Sequence, residues 1–72
     1  MKIIDVTGLS CPEPVVRTQA ALKTLPAGET LNVLVDTVTA RENVSRAARA
    51  AGCEVRVESH DRQFSLTLTR SS

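Results

Sequence analysis

Hydrophobic and polar positions alternate along three stretches of the chain. In 29–35, ETLNVLV, the side chains of Leu31, Val33 and Val35 fall on one face. In 53–58, CEVRVE, Cys53, Val55 and Val57 oppose Glu54, Arg56 and Glu58. In 63–69, QFSLTLT, Phe64, Leu66 and Leu68 oppose Ser65, Thr67 and Thr69. A period of two is the signature of a strand, and repeated in this way it predicts a sheet with one apolar and one polar face. The short β-branched run 2–6, KIIDV, reads as a further strand.

Two segments carry the helical period instead. From Ala40, the residues Val44, Ala47, Ala48 and Ala51 form one stripe. Thr39 and Glu42 have capping-box spacing, and Gly52 stands where a left-handed cap is wanted, so the pattern predicts a helix over 40–51. The other helix is expected from about Pro12 to Leu25, with Val15, Thr18, Ala21, Leu22 and Leu25 facing inward and "PAG" at 26–28 ending it. The order is β-α-β-α-β-β. Right-handed crossovers that move the same way place both helices on one face of the sheet, a two-layer α/β sandwich. Ser59, His60, Asp61 and Arg62 form the expected hairpin connection.

Composition narrows the function classes. The 72 residues suffice for one domain, 1–72, of modest stability. With no tryptophan or tyrosine and a single phenylalanine, Phe64, the core has to be aliphatic. A net charge of +1 and the lack of stacking aromatics point away from a dedicated nucleic-acid binder. No apolar run reaches membrane-span length, and the start MKIIDVTG lacks a signal-peptide pattern, so a cytoplasmic protein is expected. There the two cysteines, Cys11 and Cys53, are expected as free thiols.

The chemistry concentrates in "GLSCPEP", 8–14. Proline costs a helix least in its first turn, where its missing N–H would be unpaired anyway. If Cys11 is the N-cap, Pro12 and Pro14 become the first and third helical residues and neither removes an intrahelical bond. If Ser10 is the N-cap, Pro14 becomes the fourth and one bond is lost, so the prolines favour Cys11. A thiol at a helix N-terminus is favoured as thiolate by the dipole, while Glu13 opposes it, which predicts a modestly reactive nucleophile. The competing reading is a small hydrophobe in a tight turn.

"DVTGLSCPEPVVRTQAAL" resembles the start of the TusA/SirA-type sulfur-carrier family, whose hallmark is a Cys-Pro-x-Pro motif after a first strand and a Gly-Leu pair. Here these are Gly8, Leu9, Cys11, Pro12, Glu13 and Pro14, and the resemblance runs over about residues 3–69. It implies a four-stranded mixed sheet of order 1-2-4-3 with the last strand antiparallel to the others. It also implies a sulfurtransferase-type carrier in which Cys11 accepts a sulfane sulfur as a persulfide. The donor would be a cysteine desulfurase or another sulfurtransferase, and a second protein would be the acceptor. Such a carrier calls for no cofactor and no metal. "VDTVTARENVSRAARAAGCEV" looks like the YedF branch, associated with selenium metabolism, so the cargo is sulfur or selenium. Many members of that branch carry a second C-terminal domain. This chain is expected to act alone or to meet such a domain in trans.

Other residues divide between two readings. Asp36 is either a partner contact, as the resemblance implies, or a turn starter near Cys11. Glu13 is either a partner contact or a first-turn carboxylate stabilised by the dipole. Arg41, Arg46 and Arg49 read as a solvated helix surface more readily than as a docking face. Cys53 reads as core packing rather than a resolving thiol. His60, in the expected hairpin turn, makes a poor zinc site with two thiols. The alternatives to sulfur transfer are an RNA-binding or regulatory protein-interaction module without sulfur chemistry, and a thiol redox sensor.

Overall fold

A computed structural model describes residues 2–9 and 13–70. Its elements are β1 (Lys2–Asp5), α1 (Glu13–Lys23), β2 (Thr30–Val35), α2 (Val38–Ala50), β3 (Cys53–His60) and β4 (Gln63–Arg70). The sheet order is β1-β2-β4-β3. β1 and β2 are parallel, and β4 is antiparallel to both β2 and β3. The expected β-α-β-α-β-β order and mixed sheet are therefore observed, with both helices packed against one face. None of the described helices is long and apolar enough to cross a membrane.

Register explains the core. Val33 pairs with Ile4 on one side and Leu66 on the other, and Leu66 pairs with Val57, so one row of aliphatic side chains runs across the sheet. Leu31 and Leu68 form the next row. These residues meet Thr18 and Leu22 of α1 and Ala40, Val44 and Ala48 of α2, and Leu31, Val33, Leu66, Leu68 and Val44 have no exposed surface. Cys53 belongs to this core and is a free, buried thiol, as expected. The outer face is polar. There Asn32 donates to Ser65 Oγ at 2.8 Å and accepts from it at 3.1 Å, so Ser65 is buried without an orphaned group.

Four boundaries differ from expectation. α2 starts at Val38, not Ala40, and its cap is Thr37, whose Oγ1 accepts from Ala40 N at 3.0 Å. Arg41 N already donates to Thr37 O at 3.0 Å, so the helix is under way before Thr39 could cap it. Ala51, expected on the buried stripe, is the exposed C-cap. α1 ends at Lys23, because Thr24 and Leu25 bond back three residues, to Ala21 and Leu22, and Pro26 has no N–H to donate. Leu25 is nonetheless buried. The β3–β4 hairpin is tighter than expected, since His60 pairs with Gln63 and only Asp61 and Arg62 form the loop. His60 is thus in a strand, not a turn, and Asp61 supplies the positive φ, 55°, that two-residue hairpins require.

The corrected cap carries a prediction. Thr37→Ala should cost about 1 kcal/mol, a fall of roughly 4–8 °C in melting temperature for a domain of this size. Thr39→Ala should cost less than about 0.5 kcal/mol. Thermal melts of the two variants, followed by circular dichroism, separate the assignments.

Candidate functional site

β1 and β2 run parallel and end together, at Asp5 and Val35. The chain leaves each strand and enters a helix, α1 or α2, on the same face. The loops after both strands therefore meet at one end of the molecule, the usual place for chemistry in parallel α/β units. Gly8, Leu9, Glu13, Pro14 and Asp36 all lie at this end. Cys11 and Pro12 fall outside the described residues, as does the expected N-cap register built on them. In the chain, Cys11 stands two residues from Leu9 and two from Glu13.

The approach to the motif is held by hydrogen bonds. Val6 N donates to Leu34 O at 3.0 Å, extending the strand pairing by one residue, and Val6 is buried. Thr7 then turns the chain, donating to Asp5 Oδ1 from its backbone at 3.0 Å and from its hydroxyl at 2.6 Å. Gly8 has a φ of 77°, a region costly for a residue with a Cβ. In this conformation Gly8 N donates to Asp36 Oδ2 at 2.9 Å. Asp36, from the loop after β2, thereby ties the loop after β1. The sequence placed Asp36 near the motif, and the structure joins it to Gly8 directly.

Asp5 feels these bonds. Its carboxyl is held below its ordinary value of 3.8, first by the Thr7 hydroxyl and second by the Thr7 backbone N–H. A carboxyl lowered in the folded state adds stability above its unfolded pKa and loses that contribution as pH falls through the folded value. Removing the hydroxyl with Thr7→Ala should move the Asp5 titration back up towards 3.8 while the other carboxylates stay put. A carboxyl-detected NMR titration reads this directly.

On the other side of the motif, α1 opens with Glu13 and Pro14. Pro14 is buried in the first turn, where its missing N–H is harmless. Its carbonyl accepts from Thr18 Oγ1 at 2.8 Å, which satisfies the hydroxyl of a fully buried threonine. Glu13 is exposed and sits 3.4 Å from Arg17 Nε, one turn along the helix. A cleft of about 260 Å³ opens between the starts of the two helices, lined by Leu9, Pro14, Val15, Thr37, Ala40 and Asn43 among others. It adjoins the motif on the Leu9 and Pro14 side.

The sequence reading missed this cleft. Its walls are ordinary core-edge residues, and only the packing of α1 against α2 brings them together. It also missed Thr37, because Glu42 sits at capping-box spacing from Thr39. In the structure Glu42 Oε1 is instead 4.0 Å from Arg41 Nη2. Among the described residues no cluster of His, Cys, Asp or Glu could hold a metal ion.

Comparisons with known proteins place the chain in a family and match its fold. The family model described as sulfurtransferase TusA matches residues 2–70. A putative sulfur carrier protein of Methanocaldococcus jannaschii is 47% identical over 55 residues, 76% of this chain and 73% of that protein. The sulfur carrier protein TusA of Pseudomonas putida is 32% identical over 59 residues, 82% of this chain and 74% of that protein. The crystal structure of a SirA-like protein from Desulfitobacterium hafniense superposes with a TM-score of 0.88 at 30% identity, covering 100% of both chains.

Proposed function

Because the chain belongs to the TusA family of sulfurtransferases, we propose that it is a sulfur carrier that takes a sulfane sulfur onto Cys11 and passes it to a partner protein. The observation that carries this reading is the match over residues 2–70, with Cys-Pro-Glu-Pro at 11–14 immediately before and into the first turn of α1. The Gly8–Asp36 bond before the motif and the start of α1 at Glu13 after it are the described features that flank Cys11 in the chain and support the reading.

The chemistry is exchange at sulfur. The Cys11 thiolate attacks the outer sulfur of a donor's cysteine persulfide. One S–S bond forms as the donor's S–S bond breaks, and the donor cysteine leaves as a thiolate. The product is a persulfide on Cys11, and the terminal proton travels with the outer sulfur. Discharge repeats the step with Cys11 as leaving group and an acceptor thiolate as nucleophile. No electron is gained or lost overall, so neither an oxidant nor a reductant is consumed.

In this reading Asp36 and Gly8 position the motif rather than react. Glu13, exposed at the start of α1, is available to a partner, and Pro14 lies in the first turn of that helix. The donor is a cysteine desulfurase or another sulfurtransferase, the acceptor is a second protein, and the setting is the cytoplasm. Membership of the YedF branch, with selenium as a further cargo, rests on the 35–55 resemblance.

Incubation of the protein with a persulfide-bearing cysteine desulfurase, followed by intact-mass measurement, tests the proposal. The expected result is a gain of one sulfur atom that a reductant removes. A mass that stays unchanged at full donor loading contradicts it.

A further inference from the structure

We infer that Arg41, held over Phe64, is the centre of a docking patch for the protein sulfur donor, and that the donor meets it with a carboxylate set among apolar side chains. The inference rests on the sulfur-carrier reading and adds to it a surface and the chemistry of its occupant.

Phe64 is the only aromatic residue of the chain. It pairs across the sheet with Val35, and the next residue after Val35 is the Asp36 that binds Gly8 N–H. Phe64 therefore stands beside the motif end of the molecule. The Arg41 guanidinium lies 4.9 Å from the ring centroid, stacked as a cation over a π-face. Its side chain is 30% exposed. The nearest carboxylate oxygen among the described residues, Glu42 Oε1, is 4.0 Å away, beyond hydrogen-bond length. A guanidinium fixed by stacking, with donors left to the surface, is prepared for a planar carboxylate at little cost in side-chain entropy.

The surroundings are apolar. Val38 lies three residues before Arg41, on the same side of α2, and is 56% exposed. Val57 is 39% exposed and pairs with Leu66, which places it diagonally from Phe64 on the helix-bearing face. The charged residues of β3, Glu54, Arg56 and Glu58, point to the other face by alternation. The alternation puts Val57 on the apolar face of the sheet, and there it is exposed because β3 is an edge strand. Val38, Arg41, Phe64 and Val57 thus lie on one side of the molecule, one cation with exposed aliphatic groups near it and the small hydroxyl of Ser59 opposite Phe64 on the same face. An acidic side chain between apolar neighbours is the complement of that patch.

The test compares Arg41→Glu with Arg46→Glu, an exposed α2 position off the patch that changes net charge equally. Loading of Cys11 is timed by intact mass with two donors, persulfidated cysteine desulfurase and glutathione persulfide. Arg41→Glu should slow loading from the subsaturating protein donor by about tenfold at low salt, and leave the small donor unaffected. Arg46→Glu should match the parent protein with both. Phe64→Leu, which frees the guanidinium, should slow only the protein donor. Equal slowing with both donors would overturn the inference, as would parent-like rates for Arg41→Glu. So would a parent protein loaded by the small donor alone. A parent protein loaded by neither donor defeats the sulfur-carrier reading itself, and this inference with it.

Discussion

Cys11→Ser is expected to abolish sulfur uptake completely and to leave the fold intact. The substitution exchanges one sulfur for one oxygen. Serine retains a small polar side chain before the same prolines, but its hydroxyl is not ionised near neutrality and cannot displace a thiolate from a persulfide. Loading from a persulfide-bearing cysteine desulfurase should fall below detection. The melting temperature should shift by no more than about 2–4 °C, as for a change worth up to about 0.5 kcal/mol. Cys53→Ser supplies the contrast. It places a hydroxyl at a core position only 7% exposed, so stability should fall while uptake by the folded protein persists. Uptake by Cys11→Ser at the parent rate would remove this residue from the mechanism.

Leu66→Ala should have the largest effect on stability. Leu66 is fully buried in β4, a central strand, between Val33 and Val57. Deleting its isopropyl group costs about 2–5 kcal/mol, depending on how far the cavity collapses. A domain of this size has roughly 4–11 kcal/mol in total, so a large part of the stability would be lost. Urea unfolding should show a midpoint moved strongly to lower denaturant with little change in slope. Val57→Ala, at the open edge of the same row, should cost less than about 1 kcal/mol. Equal effects at the two positions would mean that the centre of the core lies elsewhere.

Much of this architecture was legible in the chain. The alternation in 31–35 and 64–68 specified which side chains face the helices, because a one-residue slip would reverse every one of them. Gly52 marked the end of α2, since a left-handed residue after a helix is most easily glycine. Its φ is 85°. The start of α2 was less legible. Thr37 and Thr39 are equivalent as side chains, and the choice between them depends on where β2 releases the chain. The hairpin was misjudged because Ser59 and His60 carry turn-like chemistry but are recruited by pairing with Phe64 and Gln63. Strand pairing is a tertiary gain that local composition does not report.

The candidate site was legible in a different way. The proline positions argued for a helix start near Cys11, and α1 begins at Glu13, while Cys11 and Pro12 themselves lie outside the described residues. The part played by Asp36 was half visible. Its place after the second strand brought it to the correct end, but its bond to Gly8 N–H depends on a positive φ twenty-eight residues earlier in the chain. The Arg41–Phe64 stack was not visible at all. Arg41 read as one of several solvated arginines, and only the pairing of Phe64 with Val35 brings the ring beneath it.

Where the sulfur goes decides the mechanism. Loaded protein, alkylated under non-reducing conditions and cleaved with trypsin, yields Cys11 in peptide 3–17 and Cys53 in peptide 50–56. Mass spectrometry of the two peptides is the most direct test. The extra sulfur is expected on 3–17 and none on 50–56. Sulfur found on the Cys53 peptide, or shared equally between the two, would contradict a mechanism through Cys11.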